Sequence, residues 1–157
     1  MEKSVWTSIF EIESQDLNHT WHLDFDSSII PELPEQGWKE YLRKTLAEFQ
    51  CTRCHRRWPS NRVMVVFHMR LMEDKGIVKV RPFRQNCKKC RDAPMEEPSI
   101  TPERITILLQ NLVKKIRIKC YHENLNEGNH IFEGINVNNP HEPDHCEGCM
   151  AGICTRA

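Results

Sequence analysis

The stretch CTRCHRRWPSNRVMVVFHMRLMEDKGIVKVRPFRQNCKKC, residues 51–90, decides the fold. Its ends are two CxxC pairs, Cys51-Thr52-Arg53-Cys54 and Cys87-Lys88-Lys89-Cys90, with 32 residues between them. Val63, Val65, Phe67 and Met69 alternate with Met64, Val66, His68 and Arg70, a β-branched and aromatic run with the period of a strand. Glu73-Asp74-Lys75-Gly76 supplies a turn, and Ile77-Val78-Lys79-Val80-Arg81 the returning strand. Such a hairpin carries the two cysteine pairs back to one another. Each pair can turn both sulfurs toward one point, and two pairs make the tetrahedral four-thiolate shell that Zn2+ accepts with no position left open to substrate. Pro82 has no N–H to donate and is expected at an edge or a bulge.

On the N-terminal side, Val5, Trp6, Ile9, Phe10 and Ile12 recur at near-helical spacing and predict a short packing helix. Trp21, Leu23 and Phe25 alternate with His22 and Asp24, the period of a half-buried strand. Pro31, Pro34 and Gly37 break the chain before GWKEYLRKTLAEFQ, which reads as a helical turn that straightens near Phe49. On the C-terminal side, RDAPMEEPS is a polar, proline-bearing link. Thr101 then offers a helix cap and Pro102 a favoured first-turn residue, ahead of Ile105, Leu108, Leu109, Leu112, Val113 and Ile116 on one face. Lys114, Lys115, Arg117 and Lys119 fall near the end of this helix, where cations suit the macrodipole. From His122 to Asp144 the chain is rich in Asn, Glu, Gly and Pro and reads as a loop. The expected fold class is α+β: a zinc-ribbon-like antiparallel β-sheet with an N-terminal helix and one long amphipathic helix. It forms one domain over residues 1–157, in segments 1–48, 49–92, 99–121 and 122–157.

Composition decides how the cysteines are read. The chain has 157 residues with 8 Cys, 39% apolar and 28% charged, so its core is thin for its size and gains from a metal staple. MEKSVWTSIFEIESQ lacks the basic start and unbroken apolar run of a secretory signal, and a reducing compartment favours metal over disulfides. A redox CxxC would need a lowered thiol pKa at a helix N-terminus, and neither pair precedes a helix. The tail HEPDHCEGCMAGIC adds Cys146, Cys149 and Cys154, which with His141 form a candidate second Cys3His zinc site. His145, adjacent to Cys146, is awkward to fold onto the same ion; Cys120, His122 and His68 are substitutes. Taken alone, Cys120 reads better as a small buried hydrophobe and His68 as a satisfied strand histidine. No HExxH, GxSxG, glycine-rich phosphate loop or deaminase signature is present, so no enzyme activity and no small-molecule substrate are expected.

The net charge of zero conceals two halves of opposite sign. Residues 39–91 hold 15 Lys/Arg against 4 Asp/Glu, and the remainder 7 against 18. Either the two faces attract each other within the domain or the basic one meets an outside partner. Arg53, Arg56, Arg57, Arg62, Lys88 and Lys89 are the candidate contact surface, for a protein partner, anionic lipid headgroups or RNA. For RNA, Trp58 and Tyr41 are candidate stacking aromatics, though Trp58 reads better as a core residue bracing the first knuckle.

The string from Gly37-Trp38-Lys39 through FQCTRCHRRWPSNRVMVVFHM, GIVKVRPFRQNCKKC, NLVKKIRIKCY and the CEGCMAGIC tail resembles the receptor-transporting proteins, which carry a three-CxxC zinc-finger domain. The resemblance covers nearly the whole chain in order. It implies an accessory chaperone that helps odorant, bitter-taste or opioid-type G-protein-coupled receptors reach the plasma membrane. One branch of the family is interferon-induced, binds RNA and restricts viruses. By position Cys51, Cys54, Cys87, Cys90, Cys146 and Cys149 match the three pairs, and His141 and Cys154 the flanking pattern. Trp38, Trp58, Phe67 and Phe83 match aromatic positions assigned to the core. Members commonly end in a C-terminal membrane anchor, whereas no apolar tail follows in this sequence. The expected location is therefore cytoplasmic, held at the endoplasmic reticulum and plasma membrane through partners.

Overall fold

Val63 to Met69 are buried on both faces of their strand, and the architecture follows from what covers each face. A computed structural model describes residues 3–123 of the chain. In chain order the elements are α1 (Lys3–Glu13), β1 (Thr20–Phe25), β2 (Lys39–Gln50), β3 (Arg57–Leu71), β4 (Lys75–Pro82), β5 (Gln85–Asn86), β6 (Met95–Glu96) and α2 (Pro102–Cys120). Four strands form a sheet in the order β1-β4-β3-β2, and β5 pairs with β6 in a small second ladder.

The hairpin of β3 and β4 is antiparallel, with Phe67 opposite Val80 and Val65 opposite Pro82. Pro82 ends β4, beyond the last β1 partner Val80, so its missing N–H breaks no ladder bond. β1 joins the other edge of β4 in parallel, from Thr20 opposite Lys75 to Phe25 opposite Val80, so the sheet is mixed. Gly76 makes that pairing possible: a Cβ there would sit 2.1 Å from Trp21 Cδ2.

The helices lie over one face. Trp6, Phe10, Trp21, Tyr41, Phe49, Val65, Phe67 and Val80 form one core with Leu108, Leu109, Leu112 and Ile116 of α2. Thr101 caps α2, its Oγ1 accepting from Arg104 N at 3.4 Å, with Pro102 at the first position. At the other end, Tyr121 Oη lies 2.8 Å from His19 Nδ1 and accepts from Trp21 Nε1 at 3.1 Å, tying the helix terminus to β1. Behind the sheet, Ile29, Met64, Val66 and Phe83 make a smaller cluster. The turn after β1 thus covers the second face.

Three expectations are corrected. Residues 39–48 contain no helical turn: β2 runs unbroken from Lys39 to Gln50 against β3, with one register shift between Thr45 and Ala47. Ladder bonds and a core that receives Tyr41, Thr45, Ala47 and Phe49 outweigh the helix propensity of Leu, Lys, Glu and Ala in this stretch. Trp38 is only half-buried, its face covered by Lys79 Nζ at 4.9 Å, rather than part of the core. Ile12 faces solvent, leaving Trp6 and Phe10 as the buried residues of α1.

Candidate metal centre

The first CxxC turn follows the end of β2, and the second follows β5, just past β4. The first knuckle closes on itself: Cys51 N donates to Arg56 O at 2.8 Å and His55 N to Cys51 O at 3.0 Å. The turn after each pair needs a left-handed residue, and His55 (φ 62°) and Asp92 (φ 50°) provide it. Both belong to types that adopt this region more readily than most.

The four sulfurs converge. Cys51 Sγ lies 3.7 Å from Cys90 Sγ and Cys54 Sγ 3.8 Å from Cys87 Sγ, and all four atoms are within 4.8 Å of one another. A disulfide would bring two sulfurs to about 2.05 Å. A tetrahedral shell with metal–sulfur bonds of about 2.3 Å has edges of about 3.8 Å, so these separations fit one Zn2+ ion. Cys51 and Cys87 are buried, Cys90 half-buried and Cys54 exposed. Four protein sulfurs leave no coordination position for water or substrate, so the chemistry on offer is structural.

Neighbouring donors prepare the sulfurs for a cation. Cys51 Sγ accepts from the backbone N–H of Arg53 at 3.4 Å and of Cys54 at 3.5 Å. The Cys54 N–H holds the Cys51 thiol below its ordinary pKa despite burial. Burial pushes the Cys87 thiol up, but the Arg56 Nε–H, 3.3 Å from its sulfur, and the N–H groups of Lys89 and Cys90 outweigh it and bring it down to about 6. Sharing protons with Cys54 and Cys51 pushes Cys90 up to about 12. Without a metal, charge is crowded onto some sulfurs and protons onto others; a divalent ion relieves both.

A surrounding layer fixes the knuckles. Arg56 spans Cys87 and the Trp58 ring, 4.5 Å from its centroid. Trp58 stacks on Phe49 at 5.4 Å, and its Nε1–H donates to Gln85 Oε1 at 2.9 Å. Glu96, in the link read from sequence as merely polar, is buried, and its carboxylate accepts from Thr52 N at 2.8 Å and Thr52 Oγ1 at 2.9 Å. Arg53 joins the two knuckles by donating to Arg91 O at 2.7 Å. No sequence signal identified Glu96, because its role depends on the β5–β6 pairing.

Among the proposed contact residues, Arg53, Arg57, Arg62, Lys88 and Lys89 are exposed and Arg56 is half-buried. Arg57 is paired loosely with Glu48 at 3.9 Å. Trp58 and Tyr41 are both buried, Tyr41 stacking on Phe67 at 5.7 Å, so neither presents a face to a nucleic-acid base. His68 is buried with Nε2 2.7 Å from Glu40 Oε2, the satisfied strand histidine expected from sequence. Cys120 is half-buried at the end of α2, and burial raises its thiol pKa. His141, Cys146, Cys149 and Cys154, the candidate second site, lie outside the described residues.

Residues 44–152 match a family model described as a 3CxxC zinc-ribbon, a zinc-binding domain. The chain is 36% identical to receptor-transporting protein 3 of Mus musculus, over 96% of this chain and 33% of that protein. It is 31% identical to receptor-transporting protein 4 of Mus musculus (93% of this chain, 61% of the relative) and 30% identical to receptor-transporting protein 2 of the same species (94% and 69%). The chain thus spans from one third to about two thirds of the length of these relatives. No solved structure matches it.

Proposed function

This chain belongs to the receptor-transporting proteins, a family built on the 3CxxC zinc-binding domain, and from that premise we propose that it is a non-enzymatic adaptor that binds G-protein-coupled receptors of the odorant and taste type and promotes their delivery to the plasma membrane. The observation that carries the reading is the closed cluster of four sulfurs within 4.8 Å in a chain of this family. Cys51, Cys54, Cys87 and Cys90 hold Zn2+, which supplies folding free energy to a domain with a thin core. The ion staples the end of β2 to the segment after β5 and makes the sheet edge rigid enough to serve as a binding platform.

Arg53, Lys88 and Lys89 lie within the two knuckles and Arg57 and Arg62 on β3, all exposed, and they suit the anionic headgroups of the membrane that holds the client, an attraction that fades within a Debye length. The same cations could meet RNA phosphates, but burial of Trp58 and Tyr41 removes the stacking platforms that single-stranded binding uses. The test is co-expression with a receptor panel and quantification of receptors at the cell surface. Increased delivery of at least one receptor, lost in Cys87→Ser, is expected. Unchanged delivery of every receptor by folded, zinc-loaded protein would refute the reading.

A further inference from the structure

β2 is an outer strand of the sheet, and the bonds near its two ends fix which residues face away from β3. Glu48 N donates to Ser99 O at 3.0 Å, Ser99 N to Glu48 O at 2.8 Å, and Lys119 Nζ to Glu40 O at 2.8 Å. The register shift between Thr45 and Ala47 leaves the alternation on β2 intact, because the extra residue lies in β3. Tyr41, Arg43 and Thr45 therefore bond to β3, while Leu42, Lys44 and Leu46 turn their N–H and C=O groups outward. Among the described residues these outward groups meet only Thr45 Oγ1, 3.5 Å from Leu46 O. A row of backbone donors and acceptors with a two-residue period is complementary to an extended chain.

Charge and chain path identify that chain. Lys39, Arg43 and Lys44 lie on β2, with Lys119 reaching Glu40 O and Lys115 over the Tyr41 ring. The acids of the strand are turned elsewhere, Glu40 to His68 and Glu32 N, and Glu48 to Arg57. Residues 124–157 carry five acids against one base, the complementary sign. Within them Ile131, Ile135 and Val137 share one period-2 face, a strand pattern inside a stretch that composition alone reads as a loop. α2 ends at the Lys39 end of the sheet, where Tyr121 bonds to Trp21 of β1. From there to the far edge of β2 is roughly 14 Å at the usual strand spacing, and residues 124–130 reach about 23 Å when extended. The family match spans residues 44–152 and so takes in both this edge and this segment.

Other occupants fit less well. The antiparallel self-pairing that uses Leu42, Lys44 and Leu46 together sets Lys44 against the Lys44 of a second copy. Phosphates of RNA or lipid would suit the cations but would face the outward carbonyl oxygens with like charge.

We infer that residues 131–137 of this chain add to the free edge of β2 as a fifth strand, bonding to the backbone of Leu42, Lys44 and Leu46. Covalent attachment keeps this segment at high effective concentration beside the edge, and its seating closes the edge to other chains. The inference does not depend on receptors being the clients.

The test is nuclear magnetic resonance of the zinc-loaded full chain, with amide exchange read residue by residue. Cross-strand proton contacts between residues 131–137 and 42–46 are expected, with slow exchange at Leu42, Lys44 and Leu46. Ile135→Pro, which removes a donor from the added strand, speeds exchange at these three amides about tenfold or more, while Tyr41, Arg43 and Thr45 stay slow and zinc content is unchanged. Ile135→Val keeps the wild-type pattern. Fast exchange at Leu42, Lys44 and Leu46 in the wild type, with Tyr41, Arg43 and Thr45 slow, would overturn the proposal by showing the edge bare. Proton contacts from this edge to any other segment would overturn it too, as would protection that rises with protein concentration alongside dimerisation. Receptor delivery plays no part in these readouts, so failure here and failure of the trafficking reading are told apart.

Discussion

Replacing Trp58 tests whether the sheet and the metal centre are one mechanical unit. The ring is 6% exposed, stacks on Phe49, lies under the Arg56 guanidinium and hydrogen-bonds buried Gln85. Truncating a buried aromatic to alanine typically costs 3–5 kcal/mol, and leaving the Gln85 oxygen without its donor belongs to a class of loss worth 1–3 kcal/mol. Trp58→Ala should therefore destabilise the domain by about 4 kcal/mol, a large share of the 5–15 kcal/mol usual for a domain. Trp58→Phe keeps an aromatic pair with Phe49 and loses mainly the hydrogen bond, so about 1–2 kcal/mol is expected. Guanidinium unfolding followed by circular dichroism, with zinc saturating and constant, measures both. Chelator competition on the same samples should show faster zinc loss in Trp58→Ala, because Arg56 loses the surface that aims it at Cys87. A cost below 1 kcal/mol for alanine, or equal costs for the two substitutions, would refute the reasoning.

Glu96→Ala should leave Thr52 N–H without its acceptor and lower zinc affinity by about 10- to 100-fold, read by chelator titration, with the fold intact in excess zinc. Gly76→Ala should force Trp21 out of place and destabilise the β1–β4 edge by about 1–3 kcal/mol or more, seen as a lower denaturation midpoint with zinc content unchanged. Zinc loading should release protons, Cys90 being one source because shared hydrogen bonds with Cys54 and Cys51 push its thiol up to about 12, while Cys87 at about 6 is already mostly thiolate at neutral pH. Because the ligands must lose their protons, apparent zinc affinity should rise with pH and fall on acidification through the Cys87 value near 6; an affinity unchanged on crossing about 6 would contradict this.

The elements readable from sequence were those in which one short pattern settles the matter. Thr101-Pro102 with six apolar residues on one face gave the cap and the buried face of α2, and the Val63–Met69 run gave the centre of β3. The knuckles showed where chain ends must meet, because four thiolates have one low-energy arrangement around a single ion. Residues 39–50 misled because Leu42 and Leu46 also sit at helical spacing and the inward positions Thr45 and Ala47 are too weakly hydrophobic to display a strand period. Only the long-range pairing with β3 resolves that ambiguity. The parallel β1–β4 contact and the two-residue strands β5 and β6 are non-local in the same way. Glu96 and the outward edge of β2 could not be read from spacing at all, since each depends on where the chain returns.

X-ray absorption at the zinc edge on Cys146→Ser, Cys149→Ser, Cys154→Ser protein, which keeps Cys51, Cys54, Cys87 and Cys90, tests the metal centre most directly. Four sulfur neighbours at about 2.3 Å around one zinc ion per chain are predicted. Loss of the metal from this variant, or a first shell containing nitrogen or oxygen, would contradict a closed centre made by the two knuckles.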